Sequence, residues 1–327
     1  MIAPNRTRPT AVGEAGDSVL ADQAANLRSL AYEARAHAAG APRTPVICIC
    51  SGKGGVGKTM LAANLAITLA RRGRGPLLID ADLGTPNADL VLGLNPARRF
   101  DPTRSAVTAP DLSSCIIRAH DGLRFIPGAS ASTLVPDPSL HQCRELIRAA
   151  HALTPAPGLV LIDAGAGVGR GVLHFSAVAS LVVVVATPDP TSIADAYAML
   201  KLVHRFRDGP ANTGCSTGIV INQARSDEEA AATFHRLSVC AQRFLDSTPL
   251  DLGWVPSDEA AGSSVRRRVP LVVASAESAA SRAIEGLARR LERASGVSDN
   301  RESLMNFPAR LLRKVFFRGG RGVANAR

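Results

Sequence analysis

Ile47-Cys48-Ile49-Cys50-Ser51-Gly52-Lys53-Gly54-Gly55-Val56-Gly57-Lys58-Thr59 lies between a β-prone run, Pro45 to Cys50, and an apolar helical run, Met60 to Ala70. From Gly52 to Thr59 it fills every position of G-x-x-x-x-G-K-[ST], which is a phosphate-binding loop when a strand leads in and a helix leads out. Gly52, Gly54, Gly55 and Gly57 allow backbone angles and close approaches that side chains would block. Lys58 and Thr59 open the helix, whose free N–H groups and positive dipole end face an anion. Lys58 is then placed to reach β- and γ-phosphates and the Thr59 hydroxyl to ligate Mg²⁺, with Val56 and Met60 completing the expected nucleotide contacts.

Composition agrees with this reading. The 327 residues suffice for one large α/β domain or two smaller ones, and 46% hydrophobic with only 4% aromatic residues makes the core aliphatic. No apolar run approaches the ~20 residues that span a bilayer, and Met1 to Leu20 lacks a signal-peptide apolar region, so a cytoplasmic location is expected. The six cysteines form no pair of C-x-x-C motifs, which favours buried thiols over a zinc or iron–sulfur site. The net charge of +10 is uneven. Up to Thr44 there are five basic residues against four acidic, and from Arg301 seven against one, leaving 26 against 23 between. A near-balanced centre gives little support to a nucleic-acid-binding core.

Along the chain, Met1 to Asp17 is rich in Pro, Thr, Gly and Ala and reads as disordered. Val19 to Ala39 has helical spacing, and the bland expectation for it is a helix packed on the domain. The domain proper is expected over residues 45–296. A strand at Pro76 to Ile79 ends at Asp80-Ala81-Asp82. Carboxylates at the end of a buried parallel strand need a cation or donors, which places Asp80 and Asp82 beside Mg²⁺ and the attacking water; helix capping by Asp82 or Asn87 is the alternative. Gly93 to Pro110 reads as loop, Leu123 to Pro127 as a strand, Ala129 to Pro138 as an insertion and Leu140 to Leu153 as a helix. Gly158 to Asp163, an apolar strand ending in Asp and followed by Ala164-Gly165-Ala166-Gly167, has the Walker B arrangement, with Asp163 a Mg²⁺ ligand. Further strands are expected at Ala179 to Ala186, Gly218 to Ile221 and Leu252 to Pro256. Thr187 to Ser192 caps a helix over Ile193 to Phe206, and Ser275 caps another over Glu277 to Ala294. Asn222, at a strand end, either reads an adenine edge or forms a turn.

Lys53-Gly-Gly-Val-Gly-Lys58-Thr59 resembles the deviant Walker A motif of the MinD/ParA family of P-loop ATPases. The resemblance implies a mostly parallel, twisted sheet flanked by helices (the SIMIBI, MinD-like arrangement), ATP and Mg²⁺ as cofactors, ATP hydrolysis, and a nucleotide-sandwich homodimer in which Lys53 crosses to the partner's phosphates. Within the family the chain is most similar to the FlhG branch, also called FleN or YlxH, over about Ala21 to Leu291. The similarity is carried by Asp22-Gln-Ala-Ala-Asn-Leu-Arg28, Leu161 to Gly167, Thr187 to Tyr197 and Arg225 to Glu229. It implies that Asp22, Gln23, Leu27 and Arg28 face an FlhF-type SRP GTPase and stimulate it, in place of the bland packed-helix reading. It also puts Lys53, Lys58 and Asp82 in catalysis, Asp80 and Asp82 in switch I, Asp163 in switch II, and Asn222, Pro256 and Asp258 on the adenine side. Flagellar switch-complex or transcription-regulator proteins are further partners it suggests. One departure is Thr85-Pro86, where the family has a small apolar pair; Pro86 fixes its own φ and restricts Thr85, so switch I is expected to move differently.

The last segment, 297–327, has its own physics. Asn306 can cap a helix that ends near Gly319, with Phe307, Leu311, Leu312, Val315 and Phe316 on one side and Arg310, Arg313 and Lys314 on the other. Such a helix is expected to lie on the cytoplasmic membrane, weakly alone and usefully when two tails engage in a dimer. The alternatives are a tail folded back on its own domain, a non-catalytic scaffold, and a ParA-like partitioning ATPase that binds nonspecific DNA through Arg266, Arg267 and Arg268.

Overall fold

The structure, a computed structural model, describes residues 44–104, 106–129, 137–207 and 216–296. The segment expected to face a partner, with Asp22, Gln23, Leu27 and Arg28, and the one expected on the membrane, with Phe307, Leu311, Leu312, Val315 and Phe316, lie outside these residues.

β1 (Val46–Ser51), β2 (Pro76–Asp80), β3 (Ile117–Arg118), β4 (Arg124–Ile126), β5 (Leu159–Ala166), β6 (Leu181–Ala186), β7 (Ser216–Ala224) and β8 (Leu250–Pro256) form one sheet in the order β3-β4-β2-β5-β1-β6-β7-β8. Every pairing is parallel except β3 with β4. The central strands are continuous apolar runs because helices cover both faces, as parallel sheets require. One face carries α1 (Lys58–Arg71), which leaves the phosphate loop directly, then α2 (Ala88–Leu92). The other carries α4 (Leu140–His151), α5 (Arg170–Val178), α6 (Pro190–Arg207) and α7 (Asp227–Leu245), while α3 (Ala109–Cys115) lies beside α4. α8 (Glu259–Arg267), α9 (Leu271–Ala274) and α10 (Ala279–Ser295) return the chain to the α1 side.

The structure differs from the sequence reading in several places. Gly93 to Pro110 is not wholly loop, because Thr108 and Asp111 form a capping box that starts α3 at Ala109. α10 is capped by Ser278, whose side chain accepts from Ser281 N–H, rather than by Ser275. The Ser275 carbonyl instead accepts from Ser278 N–H and the Ser281 hydroxyl. α5, α7, α8 and α9 were not anticipated as helices.

The far end of α1 is clasped to the end of α10. Arg72 makes two hydrogen bonds, of 2.8 and 2.9 Å, to the carboxylate of buried Glu292, and Arg74 adds a third at 3.0 Å. Burial alone would raise the Glu292 carboxyl, yet the two guanidiniums hold it below the usual carboxylate range.

Candidate nucleotide site

Sheet order brings the carboxylates together, although β5 runs on to Ala166 rather than ending at Asp163 as the sequence reading has it. β5 lies between β1 and β2, and in register Asp80 pairs with Asp163 while Ile49 also faces Asp163. Two carboxylates from distant parts of the chain therefore stand side by side at the end of β1, where the phosphate loop begins. Within the loop Gly57 has φ +83°, the left-handed turn into α1, and a Cβ there would meet Asn222 Nδ2 at 2.4 Å. At Gly52 the loop approaches α6 so closely that a Cβ would fall 2.1 Å from the Asp195 carbonyl oxygen.

Lys58 is 5% exposed and bridges the cluster, with Nζ 2.6 Å from Asp163 Oδ1, 3.8 Å from Asp82 Oδ2 and 3.3 Å from the Thr59 hydroxyl. Burial opposes its charge, but the nearby carboxylates, Asp163 foremost, win and raise its pKa. Asp163 Oδ2 is buried with no hydrogen-bond partner. Asp80 accepts from Asp82 N–H at 3.2 Å and Ala88 N–H at 3.0 Å. Burial and the Asp163 charge push its carboxyl up to about 7, against the pull of those N–H groups and Lys58. The helix-capping alternative thus falls to neither Asp82 nor Asn87: Asp80 receives the first N–H of α2, and Asn87 makes no side-chain cap bond. Asp82 Oδ1 closes the Gly84–Thr85 turn instead.

Three other predicted site residues have partners that the sequence reading did not foresee. Asn222 is 1% exposed and donates to the Val56 carbonyl at 2.7 Å, bracing the loop backbone rather than facing outward. Gln223 braces the neighbouring Gly55 carbonyl at 3.4 Å, and sequence reading missed it. Asp258, expected on the adenine side, accepts from Ala260 N–H with one oxygen and from Ala280 N–H with the other, tying α8 to α10. These bonds depress its pKa, the Ala280 bond most. Pro256 ends β8 opposite Ala224. Lys53 does not join the Lys58 cluster; its ammonium bonds the Asp189 carboxylate and, at 2.7 Å, the Thr191 hydroxyl at the start of α6. The Lys53 bond is the main reason the exposed Asp189 carboxyl falls to about 2. Thr187 to Ser192 was read only as a helix cap, so this partner was missed as well.

The donor set fits a Mg²⁺-nucleotide. Asp163 offers an unpaired buried oxygen, Asp80 a second carboxylate in register and Thr59 a hydroxyl, all hard oxygen ligands. Thr59, Asp80 and Asp163 would hold the ion, and its charge would there offset that of the phosphates. Lys58 lies among these same oxygens, and the α1 N-terminus offers N–H donors that would suit phosphates.

Asp80 gives a pH prediction. Its folded pKa lies above the unfolded value of 3.8, so the folded state holds the proton longer and stability falls as pH rises from about 4 to 7. In metal chelator at pH 8, Asp80→Asn is expected to be more stable than the parent by on the order of 2 kcal/mol, and the gap should close by pH 4. Urea melts at both pH values measure it; an equal gap at both would refute it.

This fold and site define a P-loop nucleotide-binding protein of the ATP-hydrolysing class. The CobQ/CobB/MinD/ParA nucleotide binding domain matches residues 47–269. The chain is 33% identical over 253 residues to the antiactivator FleN of Pseudomonas aeruginosa, covering 76% of this chain and 86% of that protein. It is 30% identical over 226 residues to the flagellum site-determining protein YlxH of Helicobacter pylori, covering 69% and 74%. MinD of Pyrococcus horikoshii, solved with Mg-ADP, superposes with a TM-score of 0.59 at 24% identity over 79% of this chain and all of that one. The chain belongs to the MinD/ParA family of P-loop ATPases, in the branch of FleN and YlxH. It is an ATP hydrolase.

Proposed function

We propose that this ATPase uses Mg²⁺-ATP to alternate between a monomer and an ATP-sandwich homodimer, and through that cycle regulates flagellar number or placement. Its tail binds the cytoplasmic membrane reversibly, and Asp22, Gln23, Leu27 and Arg28 stimulate an FlhF-type GTPase. The observation that carries this reading is Lys53. It is a phosphate-loop lysine whose ammonium rests on α6 at the surface rather than in the Lys58 cluster, so it is available to a second copy. A cation delivered in trans stabilises charge in phosphoryl transfer only after dimerisation, coupling assembly to ATP. The names of FleN and YlxH, an antiactivator and a flagellum site-determining protein, support the flagellar part.

The test is GTP hydrolysis by the FlhF-type partner with this chain, ATP and anionic vesicles present. Gln23→Ala is expected to remove the stimulation while its own ATP hydrolysis is retained; undiminished stimulation would remove the activator role. The DNA-partitioning reading keeps one observation in its favour, the exposed run Arg266 to Arg268. Salt-dependent DNA binding by the ATP-loaded protein would support it.

A further inference from the structure

Those arginines belong to a surface that the nucleotide site does not use. α8 ends in four consecutive exposed residues, Val265, Arg266, Arg267 and Arg268, and exposed Val273 follows on α9. Val265 is 45% and Val273 38% exposed. Among the described residues, no ion pair includes any of the three arginines. Arg266 and Arg267 suit the negative end of the α8 dipole, which is the ordinary explanation for them. It does not account for the valines, nor for Arg268. Arg268 closes α8 at φ +52°, a left-handed position that glycine or asparagine commonly fills.

The surface continues onto α2, which packs against α8. A Cβ on Gly93, at the end of α2, would lie 2.4 Å from the Arg268 carbonyl oxygen, and Leu90 on the same helix is 45% exposed. Neighbouring elements thus carry exposed aliphatic side chains together with guanidiniums that form no ion pair among the described residues.

The mixture selects the partner. A nucleic-acid backbone rewards the cations but gives the valines and the leucine nothing. An anionic bilayer takes both: guanidiniums bond lipid phosphates with their stems along the interface, while short aliphatic side chains reach the acyl boundary. We propose that Val265 to Arg268, with Val273 and Leu90, is a second contact with anionic membrane, distinct from the C-terminal tail.

The experiment uses the full chain with ATP, sedimented with phosphatidylcholine vesicles containing phosphatidylglycerol, and in parallel with duplex DNA. The variant Val265→Ser, Arg266→Gln, Arg267→Gln is expected to lose roughly 25-fold in affinity for the anionic vesicles, about fivefold per arginine. Lipid-free ATP hydrolysis should be unchanged. A loss of less than fivefold on vesicles, or a loss confined to DNA, overturns the proposal. The tail reading fails separately, if Leu312→Glu with Phe316→Glu leaves vesicle binding unaltered.

Discussion

Lys58→Met is expected to destabilise the nucleotide-free protein by about 3 kcal/mol and to reduce ATP hydrolysis at least about a thousandfold. The first effect follows from burial. Lys58 is 5% exposed and Asp163 fully buried, with the two joined at 2.6 Å and Asp80 in register beside them. Methionine keeps most of the volume but strands Asp163 without its cation, and removing one member of a buried pair costs about 3–5 kcal/mol. Protonation of a carboxylate recovers part of this, which places the expectation at the lower end. The second effect follows from position, since the same ammonium stands at the end of the phosphate loop among the oxygens that would hold Mg²⁺. A double-mutant cycle separates the two: adding Asp163→Asn to Lys58→Met should restore much of the stability and none of the turnover. Urea midpoints and phosphate release are the readouts. A Lys58→Met protein with the parent's midpoint would mean that the pair contributes little to the fold.

What could be read in the sequence, and what could not, divides along one physical line. The phosphate loop and the strand-end aspartates were legible because local geometry alone constrains them: a strand, tight glycines, a helix start, a carboxylate leaving an apolar run. The pairing of Asp80 with Asp163 was not, because it depends on β5 inserting between β1 and β2, a choice made by the packing of the whole sheet. Asn222 was singled out from its place at a strand end and Asp258 through the family resemblance, yet the partners they hold are distant in sequence: the Val56 carbonyl for one, Ala280 N–H for the other. α7 is a different kind of miss, because its signal was present. Ser226 accepts from Glu229 N–H at the start, and Ala230, Thr233, Leu237, Ala241 and Leu245 follow at helical spacing on the buried side. Lys53 lies between these cases. Only the resemblance to the deviant Walker A motif marked it as unusual, and its partners Asp189 and Thr191 emerge only once α6 is folded against the loop.

Lys53→Ala is expected to leave the folded monomer and its ATP affinity close to the parent's, abolish ATP-dependent dimers in light scattering, and lower turnover by roughly 100-fold or more. The stability part rests on exposure. The Lys53 and Asp189 side chains are 32% and 46% exposed, and a pair so open to solvent contributes about 0–1 kcal/mol. The depressed Asp189 carboxyl records the ammonium beside it rather than a stabilising core contact. The dimer part rests on the proposed cycle, in which Lys53 must leave Asp189 and Thr191 before it can serve a second copy. Asp189→Asn provides the counterpart, because it keeps the lysine and weakens its hold on α6. Dimerisation at lower ATP concentration is therefore expected for Asp189→Asn, the opposite direction from Lys53→Ala. Unchanged dimer affinity in Lys53→Ala would refute the role in trans. A drop of several degrees in its melting temperature would instead show that the contact with α6 is structural, and the cis pair would then be the reason for the lysine.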